Sequence, residues 1–345
     1  MEDIHYEPLT VGPAKQENAT VSVCIPTYNK AKHIREAIDS VLEQTHNNYE
    51  LIIVDNASTD DTREIIQTEY GDKVRYYRNP ANLGYAYNFN RCISLSKHDY
   101  LLILPADDTL FPTFLEKTVS SLERYPKAGF AATRFFAMDE DSNLLQMGPS
   151  LANESIVAGR EFTIPRILDG SIGITLPLFR KKYLETVGGF RSDIYFSDEF
   201  IWLQIAFLTH IVYINEPLIT WRCGQSSSLV IDAFKDRTFL DRKFYEFEEI
   251  YKFWGEGNIF VPRKRAFFRQ LLKLNRHVLT SLTFPLNKRR ILKYLQIYIN
   301  NGCLRFFSPL ELFTLLIILL SPRCILAFLH QNTKRILRCF DRGSY

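Results

Sequence analysis

Cysteine is sparse in this 345-residue chain, and its six positions, Cys24, Cys92, Cys223, Cys303, Cys324 and Cys339, include no C-x-x-C pair and no metal-ligand spacing. That argues against a thiolate metal site or a disulfide scaffold, and the thiols read as reduced and mostly buried. The opening stretch MEDIHYEPLTVGPAKQENAT is polar and acidic and lacks an apolar h-region. No secretory signal is expected there, and the chain is expected in the cytosol. Also missing are a G-x-G-x-x-G fingerprint and a G-x-x-x-x-G-K-[ST] loop, which disfavours a dehydrogenase or a P-loop NTPase.

What is present is a globular composition. Hydrophobic residues make up 46% and charged residues 23%, enough for one large α/β domain with an appended helical segment, or for two modest domains. The 14% aromatic content leaves ring surface for binding or for a membrane contact. A net charge of +3 hides an asymmetry. Residues 257–345 hold sixteen Lys and Arg against only Glu311 and Asp341, whereas the 26 bases and 37 acids upstream make the body acidic. A basic third on an acidic body signals an anionic partner, lipid or nucleic acid.

From Val21 the pattern alternates between β-rich and helical runs, as in a parallel sheet with crossover helices. Strands are expected at Val21–Ile25, Tyr49–Val54, Lys73–Tyr77 and Tyr100–Leu104. Helices are expected at Ala31–Gln44, Thr59–Tyr70 and Tyr85–Lys97; in the first, Ile34, Ile38, Val41 and Leu42 recur at helical spacing. Beyond Asp108 an α+β half is expected, with a helix near Pro112–Arg124 and strands near Phe130–Met138, Ile172–Phe179, Ile211–Ile214 and Leu218–Trp221. The 1–20 segment reads as a polar tail and the boundary to a helical, basic C-terminal region falls near Leu229–Lys235.

Sheets of this kind place ligands at the carboxyl ends of their strands, here in the loops Pro26–Lys30, Asp55–Ser58, Asn79–Gly84 and Pro105–Asp108. The last loop follows the apolar run LLILP with Asp107 and Asp108. Hard divalent cations take one or two carboxylates together with substrate phosphate oxygens, so the pair suits Mg²⁺ or Mn²⁺. The alternative is a cap for the helix opening near Pro112.

Five segments in order, VSVCIPTYNKAKHIREAIDSVLEQTHNNYELIIVDNASTDDT, NPANLGYAYNFNRCISLSKHDYLLILPADD, VGGF, SDEFIWLQIA and EPLITWRCGQSSSL, resemble a family 2 glycosyltransferase of GT-A fold over about Val21–Ser228. The resemblance implies that Pro26, Thr27 and Tyr28 lie against the nucleotide base and ribose. It implies that Asp55 accepts a hydrogen bond from the N–H of a pyrimidine ring, which favours a UDP-sugar. Asn82 and Gly84 match the family's N-x-G loop, and Asn88 with Asn90 match the turn after it; their amides either reach the donor sugar or ribose or cap the helix. Asp108 is the implied metal ligand, with Asp107 toward the sugar or ribose.

Asp198 aligns with the general base of inverting members when Trp202 is matched to the family Trp, and a carboxylate can take the proton of an attacking hydroxyl. Ser197 and Phe200 depart from the acids common there, and a one-residue slip would make Glu199 the base. Arg222 follows an aromatic residue near the implied diphosphate site and would neutralise the leaving group; a solvated surface Arg is the other reading. Gly224 replaces a His that often joins the metal shell.

Together these residues imply a single displacement with inversion, on an acceptor such as a lipid-linked glycan of a cell-surface polysaccharide. A non-catalytic nucleotide-sugar binder or membrane scaffold on the same fold is the competing reading. A pyrophosphorylase is disfavoured, because PTYNK stands where a Gly-rich loop would be needed. In the basic third, Pro262–Leu282 forms an amphipathic pattern with Arg263, Lys264, Arg265, Arg269 and Lys273 on one side, which suits either an anionic membrane or a core-facing helix. Phe306–Leu329 is apolar but broken by Glu311, Pro322 and Arg323, and its uninterrupted core Leu312–Leu320 is short of the roughly 20 residues a span requires. Peripheral contact with the inner face of the cell membrane is expected, helped by Lys334–Arg338. No reader motif accompanies the charge, so no nucleic-acid partner is expected.

Overall fold

Continuous apolar runs such as LIIV and LLIL are what strands buried on both faces look like, and the sheet is built around them. In the computed structural model, which describes residues 6–8, 19–148, 155–160, 163–164, 174–194, 197–223, 245–246, 249–250 and 252–255, the elements follow in order. They are β1 (Tyr6–Pro8), β2 (Val21–Thr27), α1 (Ile34–Leu42), β3 (Tyr49–Asp55), α2 (Thr62–Tyr70), β4 (Arg75–Arg78), α3 (Tyr85–Leu95) and β5 (Tyr100–Ile103). Then come β6 (Thr109–Leu110), α4 (Phe114–Arg124), β7 (Ala128–Met138), β8 (Leu144–Met147), β9 (Ile156–Ala158), β10 (Leu178–Arg180), α5 (Lys181–Thr186), α6 (Ser197–Leu208) and β11 (His210–Arg222).

One mixed sheet runs β1-β9-β11-β7-β10-β5-β2-β3-β4, with β6 on β11 and β8 on β7. The half β5-β2-β3-β4 is parallel. β10 joins it antiparallel to β5 and β7. One face of the parallel half is sealed by Ile34, Ile38 and Val41 of α1 and Ile65 and Ile66 of α2, which pack with Val23, Ile25, Leu51 and Ile53 in a single core that continues to Phe114 and Leu122 of α4. Those helix positions are the apolar stripe that the spacing of α1 predicts.

The three β-α repeats and the closing strand lie where expected. Two strands expected separately, Ile211–Ile214 and Leu218–Trp221, are one thirteen-residue strand with register shifts on either side of Pro217. Proline cannot donate into a ladder and is accommodated at such a bulge. The strand expected at Ile172–Phe179 is shorter within the described residues, starting at Leu178. Pro177 precedes it and has no N–H to offer.

The polar segment 1–20 contributes β1, whose backbone pairs antiparallel with β9. SDEFIWLQIA is a helix, α6, buried almost all round. The chain divides into two compact units, Met1–Phe260 and Val261–Tyr345. The boundary near Leu229–Lys235, Pro262–Leu282, Phe306–Leu329 and Lys334–Arg338 lies outside the described residues, among which no helix is long and apolar enough to cross a membrane.

Candidate active site

The loops that leave β2, β3, β4 and β5 at their carboxyl ends are stitched to one another by side-chain hydrogen bonds. At the end of β2, Pro26 and Thr27 are buried and Tyr28 is exposed. Asn29 adopts a left-handed φ of 53°, a conformation Asn tolerates better than most residues. Its N–H donates to Ser58 Oγ at 3.0 Å, and its Oδ1 accepts from the N–H of Thr59 at 2.7 Å. Lys30 N–H donates to Thr62 Oγ1 at 2.9 Å, so the first loop rests on the second.

Asp55 closes β3 with no surface exposed. Its Oδ1 accepts from the N–H of Ser58 at 2.8 Å, and its Oδ2 accepts from Tyr76 Oη at 2.6 Å and from Arg78 Nη1 at 2.5 Å. Arg78 is its ladder partner on β4. Beside Asp55, directly opposite on β2, Thr27 has a buried hydroxyl without a hydrogen-bond partner.

The next loop is held by amides. Asn56 Nδ2 donates to Asn82 Oδ1 at 2.7 Å and Asn56 Oδ1 accepts from the N–H of Leu83 at 3.0 Å. Asn79 Nδ2 donates to Asn56 Oδ1 at 2.8 Å and to Asn88 Oδ1 at 2.9 Å, and Asn88 Nδ2 donates to the Val54 carbonyl at 2.9 Å. Buried amides of this sort must be satisfied internally, and here they brace the turn. Gly84 enters α3 at φ 84°, which a Cβ would strain. Asn82 also accepts from the Gly84 N–H at 3.0 Å. Asn82 and Asn88 therefore hold the loop with their own side chains.

The acid pair follows β5. Asp107 is partly exposed, and its Oδ2 meets Lys30 Nζ at 2.5 Å. Asp108 is 4% exposed; burial first, and then the neighbouring Asp107 charge, push its carboxyl well above the usual carboxylate range. The Arg222 backbone N–H donates to Asp108 Oδ1 at 2.8 Å and opposes that rise. Arg222 is itself 4% exposed and so is not a solvated surface residue. Its Nε donates to the Asp107 carbonyl at 2.9 Å, its Nη1 to the Asp139 carbonyl at 2.7 Å and to Ser142 Oγ at 3.1 Å, and its Nη2 to Glu36 at 2.7 Å. The guanidinium ties the acid loop to α1 and to the β7–β8 turn.

Asp198 and Glu199 occupy the first turn of α6, Asp198 exposed and Glu199 half-buried. The segment leading there is anchored to α3. Asn90 Nδ2 donates to the Phe190 carbonyl and its Oδ1 accepts from the Phe190 N–H, both at 2.7 Å, while Tyr85 Oη donates to the Ile194 carbonyl at 2.8 Å. Gly189 lies so close to Asn90 Oδ1 that a Cβ would sit 2.4 Å from it. Ser197 Oγ accepts from the Arg191 N–H at 2.7 Å. Gly224 lies outside the described residues.

Oxygen-only donors at Asp107 and Asp108 suit a hard cation whose remaining shell comes from phosphate and water. Among the described residues no cluster of three or more His, Cys, Asp or Glu gathers to form an all-protein site. The charge such a cation would supply is partly met by the Lys30 ammonium on Asp107. Sequence reasoning missed Lys30, Arg78, Tyr76, Asn56, Asn79 and Glu36. The signal for Arg78 was within reach, since pairing β3 with β4 in register sets it opposite Asp55.

In fold the mixed sheet resembles the GT-A glycosyltransferases. Residues 22–183 match the model of Glycosyl transferase family 2. An uncharacterized protein of Mycobacterium tuberculosis is 28% identical over 253 residues, 68% of this chain and 76% of that protein. An uncharacterized glycosyltransferase of Rickettsia conorii is 28% identical over 266 residues, 74% of this chain and 43% of that one. Among solved structures, S. aureus TarS superposes with a TM-score of 0.60 at 16% identity, covering 83% of this chain and 50% of TarS. Its 1–349 portion in complex with UDP-GlcNAc gives 0.56 at 16% identity, over 83% of this chain and 89% of that one. The matched stretch thus spans half of that TarS chain and less than half of the Rickettsia relative.

Proposed function

We propose that this protein is an inverting family 2 glycosyltransferase that moves a sugar from a UDP-sugar to an acceptor hydroxyl, the acceptor being a lipid-linked glycan of a cell-surface polysaccharide. The observation that carries the proposal is the acid pair Asp107-Asp108 at the carboxyl end of β5, braced by Arg222 and faced by Lys30 from the loop that bears Tyr28. The exposed Tyr28 ring offers a face to a base, and the unpartnered Thr27 hydroxyl lies next to Asp55. The TarS complex with UDP-GlcNAc, alike in fold, supports a uridine donor.

In this reading Asp198, exposed on α6, takes the acceptor proton as its oxygen attacks the anomeric carbon. Asp107 and Asp108 would hold Mg²⁺ or Mn²⁺, which would supply positive charge to the diphosphate. Arg222 keeps the acid loop in place through Asp107 and Asp108, and burial keeps water from competing for those bonds. The basic C-terminal third brings the protein to the inner face of the cell membrane, where the acceptor is presented.

The test is thermal protection and donor turnover with UDP-, dTDP- and GDP-sugars, with and without Mg²⁺ or Mn²⁺. A UDP-sugar with metal is expected to raise the melting temperature and to be turned over. Protection by none of the donors overturns the proposal.

A further inference from the structure

Among the described residues the acid pair meets one lysine. Lys30 Nζ lies 2.5 Å from Asp107 Oδ2, across 77 residues of sequence, with side chains 33% and 24% exposed. The other cation at the pair, Arg222, is committed elsewhere, because its guanidinium is spent on the carbonyls of Asp107 and Asp139, on Ser142 and on Glu36. Lys30 differs from it in construction. Its backbone is pinned by the bond from its N–H to Thr62 and by the bonds from the His33 and Ile34 N–H groups to its carbonyl. Its ammonium sits at the end of a flexible four-carbon stem and can leave while the loop stays.

We propose that Lys30 is an exchangeable counter-ion of the acid pair and a donor-diphosphate ligand: its ammonium occupies Asp107 in the donor-free protein and transfers to the diphosphate when a divalent cation takes the carboxylates. The proposal rests on the reading of the pair as the cation and diphosphate site. Two cations cannot share the Asp107 oxygen without repulsion, so a divalent ion arriving alone must displace Lys30 and leave it without an anion. Arriving with a nucleoside diphosphate, it brings the anion that Lys30 needs. Lys30 therefore couples the two ligands: each binds better in the presence of the other, by the same factor. A site of this design holds little metal until the donor comes, and it places a positive charge where the leaving diphosphate gains negative charge.

The experiment titrates wild type, Lys30→Met and Lys30→Arg with Mn²⁺ alone, with UDP at saturating Mn²⁺, and with uridine, by calorimetry, after thermal unfolding has shown the variants folded. Lys30→Met keeps the stem of a partly exposed side chain; Lys30→Gln serves if it does not fold. In Lys30→Met, Mn²⁺ alone is expected to bind roughly five- to tenfold tighter, UDP with Mn²⁺ about tenfold weaker, and uridine unchanged. Lys30→Arg is expected to stay near wild type for Mn²⁺ alone. Unchanged or weaker Mn²⁺ binding in Lys30→Met, with wild type binding both ligands, overturns the role of Lys30 alone. Wild type that binds neither Mn²⁺ nor UDP overturns the reading of the site as well.

Discussion

Asp55 and Arg78 face each other across the β3–β4 ladder with Oδ2 and Nη1 2.5 Å apart, and the carboxylate has no exposed surface. A buried carboxylate stripped of its cation keeps its desolvation cost. Arg78→Met is expected to lower the unfolding free energy by about 1–3 kcal/mol, read from urea denaturation. In an Asp55→Asn background the same change should cost clearly less. Equal costs in both backgrounds would show that the pair does not couple.

Arg222 is a brace of the acid loop, donating to Glu36 on α1, to the Asp139 carbonyl in the β7–β8 turn and to the Asp107 carbonyl. Arg222→Ala leaves buried carbonyls unmatched and is expected to cost about 3 kcal/mol. Arg222→Lys, without the planar fork, should recover less than half of that. A fully stable Arg222→Ala protein would contradict the bracing role.

Ala57, in the loop after β3, has φ 65°, a left-handed conformation that costs a residue with a Cβ about 1–2 kcal/mol. Glycine relieves that strain and gives back part of the gain as unfolded-state entropy. Ala57→Gly should therefore stabilise the protein by about 0.5–1 kcal/mol, seen as a higher urea midpoint at unchanged slope.

His33 precedes α1 with its Nδ1 buried and unpartnered. Burial and then the Arg222 charge hold its pKa below 6.5, against the opposing pull of Glu36 and Glu140. A pKa depressed on folding means that the unfolded chain binds more protons in the window below 6.5. The stability His33 contributes is thus complete above pH 6.5 and is lost as pH falls through the folded value. Unfolding free energy measured from pH 7.5 to pH 5 should fall more steeply in wild type than in His33→Asn, and parallel curves would exclude the effect.

Asp198 and Glu199 are separable by chemistry. Asp198→Asn is expected to bind UDP with unchanged affinity while turnover falls at least a thousandfold, within the range assigned to a general base. Glu199→Gln should retain most of its turnover. The reverse pattern moves the base one residue along α6.

The parallel half of the domain was legible because strands buried on both faces are written as unbroken apolar runs and the helices between them as 3.6-residue stripes. The placement of Asp55, Asp107 and Asp108 at the carboxyl ends of strands was legible from the apolar runs that precede them. Three things were not. α6 is apolar on every side, so LQIAF carries no stripe to read. The amide set Asn56, Asn79, Asn82 and Asn88 depends on contacts between segments that sequence spacing does not encode. Arg222 read either as a ligand of the diphosphate or as a solvated residue, and only its position at the end of β11 shows how far it is buried.

That position has a consequence for anyone who cuts or grafts this domain. The family match stops at residue 183, yet the bond that steadies Asp108 is donated by residue 222. β11 lies parallel to β7 in the middle of the sheet, so a fragment ending at 183 loses an interior strand together with the clasp on its own acids. The stretch that matches the family model and the stretch that closes the acid loop are different lengths here, and a chimera must carry the chain through Cys223 to keep that loop closed.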